Sequence, residues 1–445
     1  MRNSGSLQLD MGRDMSWGGS LLIASSQIWF APLEFTASRG LSPFAPNPSR
    51  HCSCPVPSPM TALYKGSIVR TRPSKKAALN SAGEIAMHAQ MSWRRRASIL
   101  AAAALMSWTA SVHAQAHKPR IVIVATGGTI AGAAESTTSA GYKSGAVAVD
   151  VLINAVPQMK KFADVRGVQV SSVGSQDMND ELWIKLATEV NRLVAQPDVD
   201  GIAITHGTDT MEETAYFLNL VVKSDKPVVL TGSMRPSTAL SADGPLNIYN
   251  AVGVASDPRA KGRGVLVVVN DDIHGARAIT KRHTTDVQTF ESPEVGLVGV
   301  CLFDDREFSR SPTHAHTTAT PFTVREGQTL PRVDVIYAYA GMSPDIIDAA
   351  VAHGSKGLVI AGVGDGNMTT PALDAVKRAI ASGVVVVRST RVGEGIVRRN
   401  IEVDDDKLGT VASMELNPSK ARVLLKLALT QTSDPKQIQE FFDKY

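Results

Sequence analysis

Apolar residues along this chain recur in two alternating patterns. The runs Ile121-Val-Ile-Val-Ala125 and Gly201-Ile-Ala-Ile-Thr205 are short and unbroken, as in a strand covered on both faces. Between them, Leu182, Trp183, Leu186, Val190, Leu193 and Val194 are spaced to line one face of a helix over 179–194. A second helical stretch after Asp209 leads into another apolar run at 227–231. Strands alternating with helices predict an α/β fold with a mainly parallel sheet. Residues 309–329, rich in Ser, Thr, Pro and His, interrupt this rhythm and read as a linker. Beyond them the runs 333–339, 357–361 and 384–388 alternate with helical segments and predict a smaller α/β unit with its own parallel sheet. The expected boundaries are 119–310 for the larger unit, 311–331 for the linker and 332–445 for the smaller one.

Two of these strands run into unusual turns. After the first come Gly127-Gly128-Thr129, two glycines that let the backbone turn sharply beneath a hydroxyl. After Thr205 come His-Gly-Thr208-Asp209-Thr-Met-Glu-Glu213, again a glycine followed by hydroxyl and carboxylate side chains at the mouth of a helix. Thr208 or Asp209 would cap that helix, and Glu212 and Glu213 suit the positive end of its dipole, which is compatible with a further chemical role. Both turns fall at the carboxyl edge of one predicted sheet, where open α/β sheets bind ligands. A third segment, Ala278-Ile-Thr-Lys281-Arg-His-Thr-Thr-Asp286, brings a lysine into the company of several hydroxyl groups.

The start of the chain has a different character. Met91-Ser-Trp-Arg-Arg-Arg96 is a positive leader, 97–108 is a short apolar run, and Val112-His-Ala114 has small residues where a signal peptidase cuts. Residues 91–114 therefore read as a signal peptide, too short to span a membrane, and the mature protein is expected in the periplasm or secreted. Residues 1–90 precede it without sustained periodicity, and read as a disordered extension or an over-extended gene model. Of the 46 Lys+Arg and 42 Asp+Glu in the chain, 12 and 4 lie in residues 1–96, leaving 34 and 38. The basic balance thus belongs to the leader, and nothing in the remainder argues for nucleic acid or an anionic membrane as partner. Cys52 and Cys54 also lie upstream, so Cys301 is alone and no intrachain disulfide is expected in the mature chain. Neither Cys52-Ser-Cys54 nor Thr313-His-Ala-His316 has convincing metal-ligand spacing, and no metal or cofactor is expected.

ATGGTIAG at 125–132, THGTDTMEETA at 205–215 and the tail LNPSKARVLLKLALTQT at 416–432 together resemble the bacterial type II L-asparaginases, in family order from about Arg120 to Tyr445. The resemblance implies an exported amidohydrolase that converts L-asparagine to L-aspartate and ammonia without a cofactor. It implies Thr129 as nucleophile, Tyr142 on a flexible lid over it, and Thr208, Asp209 and Lys281 as a second set that handles protons. Ser175 and Gln176 match the loop that binds the substrate α-carboxylate, and Asp209 would face its ammonium. Asn367 and Glu402 match positions contributed to a neighbouring subunit's site, which implies a homotetramer with shared sites. Asp365 adds a carboxylate where close relatives carry a neutral residue.

An amide is a poor electrophile, so its hydrolysis calls for a strong nucleophile and donors for the developing oxyanion. A threonine hydroxyl meets the first need only when a partner takes its proton. The near rival is a dual glutaminase-asparaginase, against which Gln176 argues, since relatives with strong glutaminase activity tend to carry glutamate there. The rival of another class is a non-catalytic periplasmic amino-acid-binding protein, which also suits a signal peptide and two α/β lobes. A binder has no use for a strand-end threonine beside a Thr-Asp-Lys set.

Overall fold

The computed structural model describes residues 117–134, 136–137 and 142–445. The expected signal peptide at 91–114, the residues before it, Cys52 and Cys54 lie outside the described residues. The larger sheet has eight strands: β1 (Arg120–Gly127), β2 (Asp164–Val173), β3 (Gly201–Thr205), β4 (Val228–Thr231), β5 (Val265–Val269), β6 (Asp272–Gly275), β7 (Gly299–Leu302) and β8 (Asp305–Phe308). Their order is β8-β7-β6-β5-β4-β3-β1-β2. β2, β1, β3, β4 and β5 pair in parallel, and β6, β7 and β8 continue the sheet antiparallel. The sheet is mainly parallel, as the unbroken apolar runs predict.

Burial explains those runs. Helices α1 (Val149–Ala155), α2 (Asp180–Val194), α3 (Met211–Val221) and α4 (Gly244–Ser256) cover the sheet. Val122 and Val124 of β1 pack in a core with Trp183 and Leu186 of α2 and Phe217 of α3, whereas Ile121 and Ile123 pack with Leu152 of α1 and Ile248 of α4. Alternate residues of one strand thus enter two cores on opposite faces, so both positions must be apolar. Each such side chain, fully buried, stabilises the fold by about 1.5–3 kcal/mol. Asn179 caps α2 by accepting from the Leu182 amide, which starts that helix one residue inside the predicted 179–194.

The smaller sheet is parallel throughout, in the order β9 (Val333–Tyr337), β10 (Gly357–Gly362), β11 (Val385–Thr390), β12 (Val411–Ala412). Helices α5 (Asp345–Ala352), α6 (Thr370–Ala381), α7 (Asp405–Leu408), α8 (Pro418–Ala428) and α9 (Pro435–Lys444) complete this lobe. α8 packs against α3 of the larger lobe as well as β9 and β10, and its Val423 and Leu424 join the core that holds Trp183. Between the lobes, the chain around Thr317 and Thr320 is pinned by the Lys223 ammonium, which donates to both carbonyls at 3.0 and 2.8 Å.

Among the described residues no helix is long and apolar enough to cross a membrane.

Candidate active site

The site lies where the sheet order reverses. β1 has β2 on one side and β3 on the other, and the loops that leave β1 and β3 diverge at this switch point. Ala125 is level with Thr205 across the ladder, so Thr129 and Thr208 follow adjacent strands at the same edge. Gly127 and Gly128 take φ of 112° and 81°, a conformation that disfavours any side chain. Close approach is the second reason for glycine here: a Cβ at Gly128 would lie 2.3 Å from the Gly207 nitrogen, and one at Gly207 would lie 2.6 Å from Ser175 Oγ. The turns after β1, β2 and β3 are therefore pressed together into one surface.

Thr129 opens a single 3-10 turn, Thr129–Ala131, and is buried. The chain at 145–147 is tied to that turn, because the Gly145 amide donates to Gly128 O at 3.1 Å and the Val147 amide to Ala131 O at 2.9 Å. Tyr142 begins the two-residue strand Tyr142–Lys143, paired with Ala134. Its side chain, and residues 138–141 before it, lie outside the described residues.

Thr208, Asp209, Lys281 and Ser175 form one hydrogen-bonded set. The Lys281 ammonium donates to Thr208 Oγ1 at 3.0 Å and to Asp209 Oδ1 at 2.7 Å. Thr208 is buried and the Lys281 side chain is 17% exposed, while that of Asp209 is 61% exposed. The carboxylate thus faces the open side and the hydroxyl the inner side of the same amine. Ser175 Oγ accepts from the Asp209 amide at 3.1 Å, and Thr210 Oγ1 donates to Ser175 O at 2.7 Å. Neither Thr208 nor Asp209 caps α3: Thr210 occupies the cap position without a side-chain cap bond. The side chains that the sequence offers as caps are thereby engaged with Lys281. Exposed Gln176 folds its amide back over Gly174. His206, fully buried beside these groups, is held neutral, burial pushing its imidazole down to about 4.

Asn367 and Glu402 form a second set in the smaller lobe. Asn367 closes a tight turn through paired backbone bonds with Val363, both 2.8 Å, and its Nδ2 donates to Glu402 Oε2 at 2.9 Å. Asp365, within that turn, accepts from the Arg398 amide at 2.8 Å and pairs with its guanidinium at 3.1 Å. Its carboxylate therefore has a structural partner of its own. Beneath both loops, Arg388 and Asp405 make a fully buried two-point ion pair, each contact 2.7 Å, and the Arg388 guanidinium also donates to Asp365 O and Arg398 O. The apolar pattern at 384–388 marked the strand and gave no sign of this pair.

Glu212 is the residue whose role sequence reasoning missed. Beyond its place at the start of α3, its carboxylate accepts from the Lys281 amide at 3.0 Å and from Asn417 Nδ2 at 3.0 Å. Among the described residues, no group of three or more His, Cys, Asp or Glu is placed to hold a metal ion.

Comparison with known proteins agrees with this architecture. Residues 120–314 match the family model "Asparaginase, N-terminal", and residues 332–442 match "Glutaminase/Asparaginase C-terminal domain". A probable periplasmic L-asparaginase of Haemophilus influenzae is 52% identical over 346 residues, covering 78% of this chain and 99% of that protein. A glutaminase-asparaginase of Acinetobacter glutaminasificans is 48% identical over 332 residues, covering 74% of this chain and 100% of the relative. The crystal structure of a probable cytoplasmic L-asparaginase from Campylobacter jejuni superimposes with a TM-score of 0.72 at 49% identity, covering 74% of this chain and all of that one. With both family domains matched in order around a single strand-end site, the chain belongs to the asparaginase family.

Proposed function

We propose that this protein is an exported L-asparaginase that hydrolyses L-asparagine to L-aspartate and ammonia through an acyl-enzyme on Thr129. The observation that carries the reading is the Lys281 ammonium bound to Thr208 and Asp209 on a turn packed directly against the turn of Thr129. Thr129 Oγ1 attacks the side-chain amide carbon, and the tetrahedral intermediate collapses with protonation and loss of ammonia. Water then attacks the resulting ester, releasing L-aspartate and restoring the hydroxyl. Lys281 and Thr208 move the protons that these steps require, and Tyr142 closes over the nucleophile. Ser175 and Gln176 bind the substrate carboxylate, and exposed Asp209 faces its ammonium.

L-Asparagine is the preferred substrate, a preference that rests on Gln176. The glutaminase-asparaginase among the relatives supports the dual-activity alternative. Ammonia release followed with each amide separates the readings: kcat/KM is expected to be higher for asparagine, and equal values would favour the dual enzyme. Saturable binding of asparagine without ammonia would instead identify an amino-acid-binding protein. The leader at 91–114 supports export to the periplasm or the medium.

The active unit is a homotetramer in which Asn367 and Glu402 complete a neighbouring subunit's site. Ile401, beside Glu402, is 54% exposed, and Val392 and Ile396 of the same loop are also left in water by a single chain. Exposed apolar side chains grouped in this way suit a protein interface. Mixing inactive Thr129→Val chains with inactive Glu402→Ala chains, after dissociation and reassembly, is expected to restore activity. Each hybrid pair, one chain of either kind, then contains one site with both residues intact. Verified hybrids without activity would assign Glu402 to its own subunit.

A further inference from the structure

The tail at 416–432 is the one sequence motif given no role by the chemistry above, and it lies in the other lobe from Thr129. Its second residue, Asn417, caps α8 by accepting from the Lys420 amide at 3.0 Å. The same side chain uses its Nδ2 to donate to Glu212 Oε1 at 3.0 Å and reaches Thr280 Oγ1 at 3.4 Å. Glu212 Oε2 accepts from the Lys281 amide, so one carboxylate joins the start of α3, the catalytic lysine and the cap of α8. On the other side of the ring, Lys420 is buried, and its ammonium donates to the carbonyls of Arg277, at 2.9 Å, and Ile279. The segment that delivers Lys281 is thus gripped through its carbonyls by Lys420 and through the Lys281 amide by Glu212.

From this closed ring we infer that Glu212, Asn417 and Lys420 are positioning residues that set the reach of Lys281 to Thr208, so that the smaller lobe holds the proton-transfer geometry of its own chain's site. The inference rests on the proton-handling role of Lys281 proposed above. Geometry gives it force: proton transfer works over about 2.6–3.2 Å between heavy atoms, and a displacement of roughly 1 Å costs on the order of a hundredfold in rate. Lys281 Nζ stands at 3.0 Å from Thr208 Oγ1, with little room to drift. The two-residue strand Thr280–Lys281, paired with the equally short Phe290–Glu291, is too short to fix that reach alone.

Asn417→Ser tests the inference because serine caps a helix about as well as asparagine but cannot bridge to Glu212. Full-length protein carrying it is expected to melt within a few degrees of wild type and to lose about tenfold in kcat, with KM nearly unchanged. The loss should be absent when Asn417→Ser is added to Lys281→Met, since a residue acting through the lysine has nothing left to position. Lys281→Met retaining full activity would remove the role on which the inference stands. If Lys281→Met is crippled while Asn417→Ser keeps wild-type kcat, the inference itself is overturned. An equal loss from Asn417→Ser in both backgrounds also overturns it, by showing action through another route.

Discussion

Thr129→Val is expected to reduce asparagine turnover by about four orders of magnitude or more while the protein remains folded and assembled. Valine keeps the branched shape of threonine in a buried turn and removes the hydroxyl proposed to form the ester. Removing a nucleophile leaves only what binding and oxyanion stabilisation give, which accounts for the size of the effect. Substrate should still bind, because Ser175, Gln176 and Asp209, which we propose hold it, lie on other loops. Thermal melting, asparagine binding and ammonia release on the same preparation check all three expectations. A folded variant with near-normal turnover would move the nucleophile elsewhere.

Lys281→Met is expected to reduce kcat by roughly 10²–10⁴-fold, the usual contribution of a positioned proton-transfer group. The ammonium is the shared donor to Thr208 Oγ1 and Asp209 Oδ1, and methionine fills much of its volume without a donor. Stability should change little, because the Asp209 side chain is 61% exposed and water can take the place of its partner. Steady-state kinetics at saturating asparagine together with a melting curve measure the two effects. A stability loss without a rate loss would make Lys281 a structural cation only.

The two sheets, their parallel pairing and the placement of both glycine turns were legible in the sequence because each is written locally. The fully apolar 121–125 run marks a strand between two cores, and the 182–194 spacing marks one face of α2. Strand-end chemistry and family resemblance brought Thr129, Thr208, Asp209 and Lys281 forward as candidates, and the structure places Thr208, Asp209 and Lys281 in one hydrogen-bonded set. What Thr208 and Asp209 do in place of capping could not, since their engagement with Lys281 depends on a strand more than seventy residues away. The Glu212 bridge spans 69 residues to Lys281 and 205 to Asn417, and such polar pairings leave no periodic trace. Asp365 illustrates the same point: its carboxylate is held by Arg398, 33 residues on. Arg388 sits inside a strand pattern that reads as apolar up to it, and its burial follows from Asp405 supplying the opposite charge and complementary fork.

Two buried threonines, Thr129 and Thr208, stand at the same edge of the sheet, and Lys281 touches Thr208 directly. Identifying which of them carries the acyl group therefore tests the mechanism most directly. Protein quenched in acid during asparagine turnover, digested and mapped by mass spectrometry, is expected to carry an aspartyl ester on Thr129 and none on Thr208. An ester on Thr208, with Thr129 unmodified, would contradict the account.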